Sequence, residues 1–419
     1  MNATQHSLVV LLGLLCVAAS GSEMEIGGYY KNFFSVVRAP DADDPTQADD
    51  FQRVRFKLEY ESSPKVDFQV HFESSVIWGD TADTLSAQSE TNLFDSGIVT
   101  LARPSHRPRF MDLQTVSLSE SGIHWRNELD RLRLRLKSDR ITLAIGRQSV
   151  SWGSSSFWSP VDVFSGFTPT EIDKDEKTGI DVIRLTIFPT YDSEIDAILE
   201  PLDRNREWRI DSNDSSAAIR FKRHIGQYDI AACGGYIAGN WIAGFDFSGY
   251  IMNAGLHGEF LGMRVNDCVT DNFAQAVIGI DYSFQAPFEP YFMIEYYFNS
   301  AGAVDVENYT SVLAKPAIQD AIWRGTTYSL GRAYAGAVIK LTLTPLVAFQ
   351  NQTIVNMDDN SVREYASISA STSDNSEIIA GASIGIGSLG TEFGGWSKQQ
   401  IGADFTSPDV YFIYFKVYY

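Results

Sequence analysis

The chain ends Tyr411-Phe412-Ile413-Tyr414-Phe415-Lys416-Val417-Tyr418-Tyr419, and this stretch decides how the rest is read. Tyr411, Ile413, Phe415, Val417 and Tyr419 alternate with Phe412, Tyr414, Lys416 and Tyr418. In a strand these two sets face opposite sides. The last residue is aromatic, with no polar tail behind it. A strand of this kind fits lipid on one side, and every other segment is then read as lipid-facing or lumen-facing.

The same period of two recurs along the chain. Val54, Phe56, Leu58 and Tyr60 alternate with Arg53, Arg55, Lys57 and Glu59. Val66, Phe68, Val70 and Phe72 alternate with Asp67, Gln69, His71 and Glu73. Leu132, Leu134 and Leu136 alternate with Arg131, Arg133, Arg135 and Lys137. Ile278, Ile280 and Tyr282, and later Ile339, Leu341 and Leu343, repeat the pattern. One apolar and one polar face per strand is the transmembrane-barrel pattern, and soluble antiparallel sheets share it. The C-terminal strand resembles the closing strand of bacterial outer-membrane β-barrels, which ends on Phe or Tyr, and this breaks the tie. So does the asymmetry of the connections. Short turns fall at Ser62-Ser63-Pro64, Ser138-Asp139, Pro189-Thr190-Tyr191, Ile225-Gly226-Gln227, Ala286-Pro287, near Pro345 and at Ser373-Asp374-Asn375. Longer polar connections alternate with them, at about 38–50, 79–125, 151–176, 201–213, 262–270, 300–328 and 388–408.

The expected fold is all-β, a transmembrane antiparallel barrel of about 18 strands, with 16 as the main competitor. Strand breaks between Gly234 and Leu261 are the least defined, because that region is rich in glycine. The expected organisation is a signal peptide over 1–22 and one barrel domain over 23–419. Leu8 to Ala19 carries no charge, and Ala18-Ala19-Ser20 resembles a small-residue cleavage site, although no Lys or Arg precedes the apolar run. Leu14-Leu15-Cys16 lacks the small residues that precede a lipidated Cys. No later stretch has the roughly 18–20 uninterrupted apolar residues of a membrane helix.

Aromatics make up 13% of the chain, which suits a barrel, and the formal net charge of -20 argues against nucleic acid as a partner. Cys233 and Cys268 lie outside the signal and could form a disulfide, but they make no framework. No Cys-x-x-Cys-His, Walker or dinucleotide motif occurs, and the residues imply no cofactor, no metal and no catalytic group. His106 and His124 share a long connection with Ser105, Asp112 and Ser117, which is weak ground for an enzyme.

Three constellations remain. The pore-lining candidates are Arg53, Arg55 and Lys57, then Arg131, Arg133, Arg135 and Lys137, then Arg220 and Lys222 with His224 beyond them. They read either as an electropositive track for an anion or as ordinary charge pairing with acidic strands. Asp67, Glu73, Glu194, Asp196 and Glu200 stand on those intervening strands. The second constellation is acidic: Asp41, Asp43, Asp44, Asp49 and Asp50, and then Asp173, Asp175 and Glu176. These residues read as solvated outer-loop charge, or as cation ligands without a calcium-loop spacing. The third contains Trp152, Phe157, Trp158 and Phe164, either an inward constriction or a girdle at the lipid interface.

The third run also carries a resemblance. Gly146-Arg147-Gln148, Trp152-Gly153, Trp158-Ser159-Pro160-Val161-Asp162-Val163-Phe164 and Gly179-Ile180-Asp181 are similar to motifs of bacterial outer-membrane porin-like barrels. That group includes the barrels of porin–cytochrome electron conduits, and alginate-export barrels look distantly similar. The resemblance implies a pore for small solutes. It also allows a sheath around a multihaem cytochrome partner, or an exporter of an anionic polysaccharide.

Overall fold

The alternating residues form strands that pair antiparallel around a closed ring. The computed structural model describes residues 23–38, 46–82, 109–167, 169–173, 175–202, 210–211, 214–265, 272–315, 318, 329–395 and 408–419. The expected signal peptide, Cys268, His106, Asp41, Asp43 and Asp44 lie outside these residues.

The strands in chain order are β1 (Glu23–Arg38), β2 (Gln47–Ser63), β3 (Val66–Gly79), β4 (Gln114–Glu120), β5 (Ile123–Lys137), β6 (Ile141–Gln148) and β7 (Ile180–Thr190). Next come β8 (Ser193–Glu200), β9 (Ser216–Ile225), β10 (Tyr228–Ile237), β11 (Asn240–Ile251), β12 (Ala254–Arg264) and β13 (Phe273–Ser283). The ring is completed by β14 (Tyr291–Asn299), β15 (Ala333–Thr344), β16 (Val347–Asn356), β17 (Val362–Ser373), β18 (Ser376–Ile386) and β19 (Asp409–Tyr418). β1 pairs with β2 on one edge and with β19 on the other, from Tyr29 opposite Tyr418 to Arg38 opposite Asp409. A ring without edges satisfies its own backbone, as lipid demands.

Eighteen strands close the wall, and β4 is an addition that the strand count from sequence did not include. One edge of β5 follows β3. The other edge is shared: β4 pairs with it from Ile123 to Glu128, and β6 from Leu132 to Lys137. β4 thus fills the wall above the short β6, where the chain has turned away.

The outward face is apolar. On β13 Ile278 and Ile280 are exposed while Val277 is buried, and on β19 Ile413 is 48% exposed while Phe412 and Tyr414 face inward. Within the glycine-rich region, Ala238 and Gly239 reverse the chain between β10 and β11 with φ of 43 and 87. Two positive φ values match the twist of a two-residue hairpin.

Candidate functional site

After Gln148 the chain leaves the wall, crosses the lumen and rejoins the wall at Ile180. Of the two alternatives for this aromatic-rich connection, the inward constriction and the interfacial girdle, the described residues take the inward one, forming a strap. The sequence makes the departure possible at Gly153, whose φ is +86 and whose added Cβ would lie 2.3 Å from Ser159 Oγ and 2.5 Å from Glu259 Oε1. Only glycine fits so close an approach in that conformation.

On one wall the strap is held by buried carboxylates and aromatic packing. Glu259 on β12 accepts the backbone N–H groups of Ser154 (2.6 Å), Ser155 (2.8 Å) and Val161 (3.0 Å) and the hydroxyl of Ser159 (3.1 Å). Glu295 on β14 accepts those of Ser156 (2.7 Å), Phe157 (3.0 Å) and, at longer range, Trp158 (3.4 Å), and His257 Nε2 lies 2.9 Å from it. A loop buried away from water must pair its N–H groups, and two wall glutamates do this for consecutive residues. Trp158 stacks on Tyr297 with ring centroids 5.2 Å apart and planes within 3°. Gly336 on β15 leaves the room: a Cβ there would come within 2.8 Å of Phe157 and 2.9 Å of Trp158. Trp152 packs edge-on against Phe164 and donates its indole N–H to Asp196 at 3.0 Å. All four aromatic candidates, Trp152, Phe157, Trp158 and Phe164, are therefore buried inside the barrel. None belongs to an outer girdle.

At its far end the strap meets the opposite wall through ion pairs. Asp173 lies 2.9 Å from Lys31 and 3.0 Å from Arg53. Asp175 bridges Lys31 and Lys416, the latter at 2.9 Å, and Glu176 bonds Lys57 at 2.5 Å. Burial pushes the Asp173 carboxyl up, but the Lys31 and Arg53 cations outweigh this and hold it well below the usual carboxylate range. Asp173, Asp175 and Glu176 are thus not solvated outer charge: they pair with Lys31, Arg53, Lys57 and Lys416. They are the anionic tip of a lumenal strap.

The basic residues point into the lumen, and each has a carboxylate partner. Arg53 and Arg55 meet Glu73 at 3.3 and 3.1 Å, and Arg55 and Arg131 share Asp130. Arg133, Arg135 and Lys137 converge on Asp67 at 3.4, 2.7 and 2.8 Å. Arg220 pairs with Asp246 and Lys222 with Asp229, each at 2.7 Å. Of the first acidic group, Asp49 receives Thr81 N at 2.8 Å and Asp50 receives Asn32 at 2.6 Å, so both are wall residues of β2. Of the enzyme candidates, His124 Nδ1 lies 3.1 Å from Ser119 Oγ, and Ser117 instead accepts Asn127.

Sequence reading missed Glu259 and Glu295. The available signal was a single acid on the inner face of an otherwise apolar or glycine-rich strand, with no cation at its level on the neighbouring strands. Among the described residues an opening lies between strap residues 169–172 and the inner faces of β15–β19, a cavity of about 290 Å³. A second, more open recess of about 400 Å³ lies near the short-turn end, between the strap serines Ser154 and Ser156 and His224, Asp229, His257 and Asp281.

No family model matches the chain, and neither does any curated protein. Solved structures do resemble it. A BenF-like porin from Pseudomonas fluorescens Pf-5 superposes with a TM-score of 0.58 at 8% identity, over 94% of this chain and 98% of that one. OccD3 (OpdP) of Pseudomonas aeruginosa gives 0.54 at 9% identity, over 96% and 92%. The outer membrane protein opdK of Pseudomonas aeruginosa gives 0.56 at 5% identity, over 95% and 98%. The chain has the fold of these outer-membrane porins. Identities this low establish the architecture and nothing about cargo.

Proposed function

We propose that the protein is a pore of the bacterial outer membrane that passes small solutes and has no enzymatic activity. The observation that carries this reading is the closed, apolar-coated wall around a polar lumen, narrowed by a folded strap that leaves one side open. A hydrated lumen is what a barrel of this strand number provides, and the fold shared with solved porins supports the same reading.

Two observations weigh against the other readings. The strap runs from β12–β14 to β1, β2 and β19 and so occupies the lumen that a cytochrome partner would need. The basic strands are interrupted by Glu73, Asp130 and Asp67, which speaks against one continuous track for an anionic polysaccharide. In this reading the basic ladder anchors the strap and balances charge along the wall. Single-channel recording of the purified barrel in a planar bilayer tests the proposal. Steady ohmic current without a partner is the expected result, and a correctly inserted but silent barrel would refute it.

A further inference from the structure

The opening beside the strap has a lining that points to a class of solute. Among the described residues its charged lining is Lys340 and Arg363 against Glu171 and Asp175, and these formal charges cancel. Asp175 is engaged by Lys31 and Lys416. Arg363 donates to Pro408 O at 2.8 Å and lies over the Phe393 ring. Beside Lys340, which lies over the Tyr291 ring, and Glu171, the rest of the polar lining is neutral and hydrogen-bonding: Gln350 and Gln352 on β16, and Ser367 and Ser369 on β17. Among the described residues the Gln350 and Gln352 amides and the Ser369 hydroxyl have no protein hydrogen-bond partner, so their donors and acceptors face the opening. Carbon surface alternates with these groups. Ile172 of the strap and Ile379 of β18 pack beside Tyr365, whose ring stacks on Phe412 at 5.8 Å and 21°.

Resting on the pore reading, we propose that this opening is a selectivity site for neutral polyhydroxylated solutes of about monosaccharide size. The opening selects by an exchange of hydration. A sugar hydroxyl both donates and accepts, as water does, so it can replace the water on an amide or serine with little loss. The C–H face of a sugar ring meets the isoleucine and tyrosine carbons. An ion of the same size must shed part of its hydration shell, and a lining whose described charges balance gives it no net attraction in return. The volume suits the assignment, because about 290 Å³ is at the lower end of small-molecule sites, roughly 300–1,000 Å³.

The test uses the intact barrel in liposomes, with uptake of D-glucose, D-gluconate and D-glucosamine expressed per inserted barrel. KCl conductance of the same preparation in a planar bilayer shows that the pore is open. Glucose should enter faster than both charged analogues. Replacing Gln350 and Gln352 with Ala should lower the glucose-to-gluconate ratio about fivefold, the scale of one lost hydrogen bond. Gln350→Asn with Gln352→Asn should retain most of the ratio. Normal KCl conductance with gluconate or glucosamine entering as fast as glucose overturns the selectivity site and leaves the pore standing. An alanine variant that slows all three solutes equally also overturns it. Absence of KCl conductance refutes the pore and takes this inference with it.

Discussion

The two walls that hold the strap do so with different chemistry. On β12–β14, the carboxylates of Glu259 and Glu295 are buried and accept consecutive backbone N–H groups, while Trp158 lies flat on Tyr297. On β1, β2 and β19, Lys31, Arg53, Lys57 and Lys416 meet the side chains of Asp173, Asp175 and Glu176. The first contact fixes backbone and excludes water, so its geometry is rigid. The second joins flexible side chains of mixed burial: Lys31 and Asp173 are buried, while Asp175 and Lys57 are each about a third exposed, at 30% and 35%. Ion pairs of that exposure are weak and salt-sensitive. The difference teaches that the strap is anchored at one wall and steadied at the other.

Breaking the anchor should have the largest effect. Glu259→Ala combined with Glu295→Ala takes the acceptor from the five strap N–H groups held within 3.0 Å, a loss of roughly 5–15 kcal/mol at about 1–3 kcal/mol per group that stays buried. The strap should leave the wall, and unit conductance in a planar bilayer should rise clearly. Conductance equal to that of the parent barrel would show that the aromatic packing alone holds the strap. Trp158→Ala tests that packing directly. It should cost about 3–5 kcal/mol, the usual range for removing a buried large aromatic, read as a lower thermal unfolding midpoint in detergent.

The ionic wall should respond less in stability and more in selectivity. Asp173→Asn with Asp175→Asn frees Lys31, Arg53 and Lys416 from their partners on the strap. Reversal potentials should shift toward anions, and the change should shrink at molar salt as screening removes the field. An unchanged reversal potential would mean that these cations do not face the conducting path.

The smallest effect on the passage concerns a carboxylate at its outer mouth. Glu392 is held by Tyr334 OH, by Asn356 Nδ2 at 2.7 Å and by Leu330 N at 3.1 Å. Burial pushes its carboxyl up from the model-compound value of 4.5 to about 7. The packed loop therefore keeps a proton that the unpacked loop releases. Packing is strongest below about pH 4.5, weakens as pH rises toward 7 and levels off above it. Hydrogen exchange at Leu330 should quicken over that window in the parent chain and show no such pH step in Glu392→Gln.

Much of the architecture is legible in the sequence, because a lipid-facing wall must alternate residue by residue. The starts of all eighteen wall strands follow from that period and from turn residues. β4 escapes it: its position depends on the gap left where β6 stops at Gln148. The nine basic ladder residues are legible as a lumenal set for the same reason. Their pairing with Asp130 and Glu176 is not, since one sits at an irregularity in the β3–β5 register and the other arrives on the strap. The strap itself was visible only as too many large aromatics for a solvated loop.

The sequence by itself determined a closed wall with an apolar coat and a charged interior, because side-chain alternation is a local property of each strand. Tertiary structure alone decided that the described residues between Gln148 and Ile180 fold inward and that Glu259 and Glu295 receive part of them. It also decided that the basic ladder is spent on internal partners. The strap contacts join residues about 100 or more positions apart in the chain, and the closure of the ring, not any local pattern, sets which of them meet.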